Sequence, residues 1–261
     1  MNALKIAATG MAAQQTRVDV ISNNIANMST TAYAPRTAQF ADLIYQQELP
    51  PGSLSSESGT IVPAGIQIGM GVRPSAVSLE FIQGGLRQTG AELDLAIEGR
   101  GFFEITLPSG EAAYTRDGKF NRSAEGLMVN ADGFALADNI TIPDDARQVT
   151  ISNDGVVSAI FDGQPAPQAL GNINLTVFTN VKGLEALGGN LFRETAASGT
   201  PITNAPGVDG VGLMRQGFLE ESGVDVVEEI SELIEAQRGY ELNSKVITAA
   251  DEMLAATTRI R

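Results

Sequence analysis

Residues 226–254, VVEEISELIEAQRGYELNSKVITAADEML, place Val226, Leu233, Tyr240, Ile247 and Leu254 at every seventh position, with Ile230, Ala236 and Ala250 supporting the same edge. A seven-residue repeat of apolar side chains keeps one helix edge turned toward a partner helix. The start of the chain repeats the device. Leu4, Met11, Val18 and Ile25 recur every seventh position, Ala7, Ile21 and Met28 fill the alternate positions, and Gln14 interrupts them. Neither stripe has a partner nearby in sequence, so the partners on offer are each other and further copies of the same chain. That is a plan for a polymer subunit.

The first helix is expected to end before Pro35, because proline disfavours helix at the residue before it. Asn23, Asn24 and Asn27 are poor helix formers, and such a group is either paired with neighbouring polar groups or solvated. The second helix follows Ser222-Gly-Val-Asp225, which resembles a capping box, and Asp225, Glu228 and Glu229 suit its positive N-terminus. A helix of about 38 residues is ~57 Å long, so much of it is expected to project from a domain of this size.

Between the ends the pattern changes. Phe40-Ala-Asp-Leu-Ile-Tyr45 either continues the helical pattern or packs as a hook. Residues 46–64, QQELPPGSLSSESGTIVPA, read as an extended loop too long for an ordinary connector. From about residue 66 the period becomes two. Short strands are expected at 101–107, 112–116, 127–129, 149–151, 156–161 and 173–178. Asp117-Gly118, Asp132-Gly133, Asp154-Gly155 and Asp162-Gly163 lie between them, dipeptides favoured in tight hairpin turns. Regular spacing of this kind predicts an antiparallel all-β domain. The fold class is therefore α+β, a hairpin-rich all-β centre flanked by long, coiled-coil-like terminal helices.

Composition narrows the function. Lys plus Arg is 17 and Asp plus Glu is 31, a formal charge of −14 that disfavours nucleic acid and anionic membrane surfaces as partners. Cysteine and histidine are both absent. Without them there is no Ser-His-Asp or Cys-His nucleophile and no HExxH zinc site. Gly69-Met-Gly71-Val-Arg-Pro74 and Gly99-Arg-Gly101-Phe-Phe-Glu104 fail as phosphate loops at the third glycine, and the Asp-Gly sites lack the acids of a calcium loop. Glu92, Asp94 and Glu104 could in principle supply a glycosidase pair, but surface charge is the plainer reading. No cofactor, metal site or catalytic residue is expected. No apolar run has the length of a membrane span, and the N-terminus is a poor secretory signal.

Several of these segments resemble bacterial flagellar rod and hook proteins. Gly10-Met-Ala-Ala-Gln14-Gln15, Asp19-Val-Ile21-Ser-Asn23-Asn24-Ile25-Ala-Asn27 and Phe40-Ala-Asp42-Leu43 are similar to the family's N-terminal signature. Gly217-Phe-Leu-Glu220, Glu235-Ala-Gln237-Arg238-Gly-Tyr240-Glu-Leu-Asn243-Ser-Lys245 and Asp251-Glu-Met253 are similar to its C-terminal one. Gly99-Arg-Gly101-Phe102-Phe103 and Tyr114-Thr115-Arg116-Asp117-Gly118-Lys-Phe120 resemble its β-domain motif. Residues 65–74, after a Pro/Ser-rich insertion, resemble the distal-rod members, with proximal rod or hook-type members as the alternative. Two departures stand out: Ala32-Tyr33-Ala34-Pro35 replaces a glycine-aromatic-lysine step, and Gly223 stands where an asparagine is usual.

The resemblance implies a structural subunit, not an enzyme. It would be exported through the flagellar type III apparatus without a cleaved signal and polymerise into a hollow shaft crossing the periplasm. Its partners would be copies of itself, other rod proteins, the hook and the surrounding rings. The expected organisation is an N-terminal assembly helix at 1–31, a linker and arm at 32–72 with the insertion 46–64, a β-rich outer domain at 73–221 and a C-terminal assembly helix at 222–261. Candidate self-assembly residues are Leu4, Met11, Val18, Ile21, Asn24, Ile25, Asn27, Val226, Ile230, Leu233, Gln237, Tyr240, Ile247 and Leu254. Pro50, Pro51, Ser53, Glu57 and Pro63 are the candidates on the inter-subunit arm.

Overall fold

The computed structural model describes residues 2–50, 64–162 and 164–259. Two compact units emerge: residues 1–26, 36–79 and 225–261 form a terminal unit, and 27–35 with 80–224 form a central one.

The terminal unit holds both helices, α1 (Asn2–Ala26) and α2 (Val226–Arg259), with four strands: β1 (Arg36–Asp42), β2 (Tyr45–Leu49), β3 (Ile66–Gly69) and β4 (Val72–Leu79). α1 is Ala-rich and free of proline, and it stops where Asn27 begins a turn, with the Thr30 amide donating to the Asn27 carbonyl. At the start of α2 the capping residue is Asp225 itself. Its Oδ1 accepts from the amides of Val227 at 2.9 Å and Glu228 at 3.2 Å. The capping box expected from Ser222 is absent, and the Ser222 hydroxyl is buried without a hydrogen-bond partner among the described residues.

Phe40–Tyr45 is neither helix nor hook. β1 pairs antiparallel with β4 from Arg36↔Leu79 to Asp42↔Val72, and β2 pairs with β3 from Tyr45↔Gly69 to Leu49↔Ile66. Between the two pairings Leu43 donates to the Gly71 carbonyl and Met70 to that of Ile44. The result is one long two-stranded ribbon. Residues 46–49 of the expected loop are therefore strand. Because β4 pairs with β1 along its length, with one bulge opposite Gln39 and Phe40, residues 73–79 belong with the helices, and the units do not divide at residue 73. Pro50 is exposed, while Pro51, Ser53, Glu57 and Pro63 lie outside the described residues. Gly71 has φ +114°, and a side chain there would strike the Thr9 hydroxyl of α1, so this motif glycine serves close packing.

The central unit is built of antiparallel pairs, the largest a seven-stranded sheet ordered 185–188, 191–193, 112–115, 103–106, 135–136, 128–129, 121–122. Residues 146–151, 156–161 and 164–172 add a three-stranded meander. Asp132-Gly133 and Asp154-Gly155 make hairpin turns, with Gly133 at φ +85° and Gly155 at φ +84°. Phe161 pairs with Gln164 across the fourth expected turn. Asp117-Gly118 is different. Gly118 lies against the Leu95 carbonyl, where any side chain would collide, and its own carbonyl accepts the Leu95 amide at 2.9 Å.

Period-two alternation sends Phe102 and Phe103 to opposite sides. Phe103 is fully buried with Leu95, Ile97, Ile105, Met128 and Leu175, and meets Phe120 edge-on at 5.1 Å. Phe102 joins Phe81, Phe178 and Phe192 in a second aromatic cluster. The Gly99 and Gly101 carbonyls point at Arg116. Its guanidinium donates to both, at 3.0 and 3.3 Å, and pairs with buried Glu220 at 2.8 Å. Glu220 Oε1 also accepts the Gly84 amide, so the charges are paired on both sides. Ala32 occupies the left-handed region at φ +53°, the conformation that the usual glycine adopts without strain. Gly223 has no room for a side chain against the Ile82 carbonyl.

Arg116→Ala is expected to lower the stability of the full chain by about 3–5 kcal/mol, because it strands the Glu220 carboxylate and frees the Ile97, Gly99 and Gly101 carbonyls. Denaturant unfolding checks this, and a loss below about 1 kcal/mol would mean the pair is incidental.

Candidate self-assembly site

α1 and α2 run antiparallel, and four contacts give the register. Gly10 faces Asn243, Gln14 faces Gly239, Arg17 reaches Glu235, and Asn24 reaches Glu229. A Cβ on Gly10 would sit 2.9 Å from the Asn243 amide, and one on Gly239 would sit 3.2 Å from Gln14. Each glycine thus makes room for an amide side chain from the other helix. Gln14, which interrupts the apolar stripe of α1, sits in a pocket that Gly239 opens. An isolated glycine in a helical pattern is the signal that could have found it.

The line of α2 against α1 is Glu229, Ala236, Asn243 and Ala250, itself a seven-residue repeat, with Ala236 fully buried. It is made of small and polar residues, so the helices approach through Ala7, Ala13 and Gly10 rather than through large apolar knobs. Ile21 and Asn24 are buried at 2% exposure. Leu4, Met11, Val18, Ile25, Val226, Leu233 and Ile247 are half-buried, as is Asn27 in the central unit. Ile230, Gln237, Tyr240 and Leu254 are exposed.

A second apolar ridge shares only Ile230 with the seven-residue stripe. Val227, Ile230, Ile234 and, past Arg238, Leu242 lie on the side of α2 turned away from Ala236, and Val227 and Leu242 are 75% and 63% exposed. Apolar side chains this exposed, on a helix already paired along its other side, mark a contact surface.

Electrostatics fasten the pair near one end. Arg17 bridges Glu232 at 3.4 Å and Glu235 at 3.3 Å. Asn24 donates to the Arg36 carbonyl at 2.8 Å and to Glu229 Oε1 at 2.7 Å, while its own oxygen accepts the Arg36 amide at 2.9 Å. One amide side chain thereby ties α1, α2 and β1 together. Among the described residues no group of His, Cys, Asp and Glu is placed to hold a metal ion, and no helix is long and apolar enough to cross a membrane.

Three family models match the chain: the flagella basal body rod protein over residues 4–33, the flagellar hook protein FlgE/F/G D1 domain over 96–159, and the flagellar basal body rod FlgEFG protein C-terminal region over 215–260. The flagellar basal-body rod protein FlgG of Caulobacter vibrioides is 52% identical over 261 residues, covering 100% of both chains. FlgG of Agrobacterium fabrum is 47% identical over 259 residues, covering 99% of each. The Helicobacter pylori flagellar hook protein FlgE2 overlaps 71% of this chain and 43% of its own length at 16% identity and a TM-score of 0.25, an overlap that carries no argument.

Gly239→Leu should push α1 away from α2 and cost about 1–3 kcal/mol of helix-pair stability, the usual penalty of overpacking. Thermal melting followed by helical circular dichroism measures it. An unchanged midpoint would show that the close approach at Gln14 is dispensable.

Proposed function

The chain belongs to the FlgG family of flagellar basal-body rod proteins, and on that premise we propose that it polymerises through its terminal helices into the hollow distal rod. In this reading α1 and α2 line the inner core around an export channel, and the β-rich central unit forms the outer wall. The tube carries torque across the periplasm inside its ring bushing. The subunit reaches its place through the type III apparatus without loss of a signal segment, and meets other rod proteins and the hook at the ends of the tube. Its part is mechanical, with no reaction to catalyse.

The observation that carries this reading is the second ridge of α2. Pairing with α1 buries the Glu229–Ala250 line and leaves Val227, Ile230, Ile234 and Leu242 exposed. Covering each of these with a neighbour's helices would contribute ~1.5–3 kcal/mol at most. The half-buried Leu4, Met11, Val18, Ile25, Leu233 and Ile247 would complete their burial in the same way, in coiled-coil-like contacts. Gln237 and Tyr240 would sit at the edges of such contacts.

We assign residues 46–64, with Pro50, Pro51, Ser53, Glu57 and Pro63, to an arm that bridges neighbouring subunits. The paired stem of the ribbon supports this, because it carries Ile44, Tyr45 and Ile66 at 84%, 56% and 52% exposure. Apolar groups so exposed on a two-stranded ribbon mark a contact surface.

Ile234→Glu with Leu242→Glu is expected to leave helical content unchanged and to abolish polymerisation in sedimentation. Polymers formed by the double variant would place the interface elsewhere. Excision of 50–65 with a two-residue turn closing Leu49 to Ile66 should permit assembly but give curved tubes in electron micrographs. Straight tubes from that deletion would leave the arm as a spacer.

A further inference from the structure

Glu229 lies one turn into α2 and faces α1, and its two carboxylate oxygens have different fates. Oε1 accepts the Asn24 amide at 2.7 Å. Oε2 is buried with no hydrogen-bond partner among the described residues. Asn24 cannot turn to serve it, because the second Nδ2 hydrogen goes to the Arg36 carbonyl and Oδ1 receives the Arg36 amide.

The charged surroundings do not relieve the burial. On α2 itself the neighbours are Glu228 and Glu232, both acidic, and Asp225 is occupied by the capping amides. From α1 the cation on this side is Arg17, taken up by Glu232 and Glu235. From β1, Arg36 presents its main chain to Asn24. The N-terminal turn of α2 and the Asn24 amide favour a negative charge here; burial and two like charges oppose it.

We propose that Glu229 is a proton-controlled latch on the α1–α2 pair, closing the pair fully when neutral and loosening it when ionised. Burial, and then the neighbouring acids Glu232 and Glu228, hold the carboxyl above the ordinary glutamate range, with the Asn24 amide pulling partly the other way. The sign follows from proton linkage. The closed pair binds this proton more tightly than the unfolded chain does. The stabilisation is therefore complete below the ordinary glutamate range and is lost as pH rises through the raised value. The contribution of Glu229 to the helix pair is thus greatest in acid and declines as pH rises through its raised value.

Two readouts on the dilute full-length monomer test the latch. Carboxyl-carbon NMR, with Glu229 assigned by comparison with Glu229→Gln, should show it titrating above the ordinary glutamate range. Glu228→Gln should move that titration downward by removing a like charge. In helix melting from pH 4 to pH 8, the wild-type midpoint should fall through the Glu229 titration, and Glu229→Gln, which keeps the acceptor for Asn24, should lack that step. A Glu229 that titrates in the ordinary range overturns the proposal, and so does an unaltered step in the Gln variant. Should the Gln variant fail to pair its helices, the wild-type titration decides by itself.

Discussion

The close approach of α1 to α2 governs the terminal unit. Gly10 and Gly239 remove side chains so that Asn243 and Gln14 can lie between the helices, and Ala236 vanishes into the same line. A contact made of small residues brings backbones together but buries little apolar area, so by itself it contributes modest stability. It also fixes the rotation of both helices. With Ala236 turned inward, Ile234 and Leu242 are obliged to turn outward. The exposed ridge is thus a consequence of how the pair closes, and it leaves α2 suited to further partners.

The central unit solves a different problem. Its core is apolar, but the loop holding Gly99 and Gly101 bends sharply, and its carbonyls face inward. Arg116 supplies donors in a rigid fork that three carbonyls and one carboxylate can share. The motif glycines, the arginine after Tyr114-Thr115 and the glutamate after Phe218-Leu219 are parts of one hydrogen-bonded device, although more than a hundred residues separate the last two.

Much of this was legible in the sequence, for reasons that also explain what was not. Apolar side chains at helical spacing and proline-free runs located both helices, and Asp-Gly dipeptides located the turns at Gly133 and Gly155. The pairing of 36–49 with 66–79 stayed hidden because β2 is exposed along its whole length and β1 alternates only between exposed and half-buried positions, without large apolar side chains at the half-buried ones to mark a strand on a core. Gly10 and Gly239 looked like weak points of helix propensity because their value depends on a residue from the other end of the chain. Asp117-Gly118 misled for a similar reason, since its glycine answers to Leu95. Glu229 read as a favourable charge at a helix start, and the burial of its second oxygen appears only once Asn24 is in place.

The chain contains no cysteine, so single thiols can report on its surfaces without background. The most direct measurement is maleimide labelling of Leu242→Cys, compared between the dilute chain and assembled tubes, with Ala236→Cys as the buried reference. The account predicts rapid labelling of the position 242 thiol in the dilute chain, strong protection in tubes, and slow labelling at 236 in both. Equal labelling at 242 before and after assembly would contradict it.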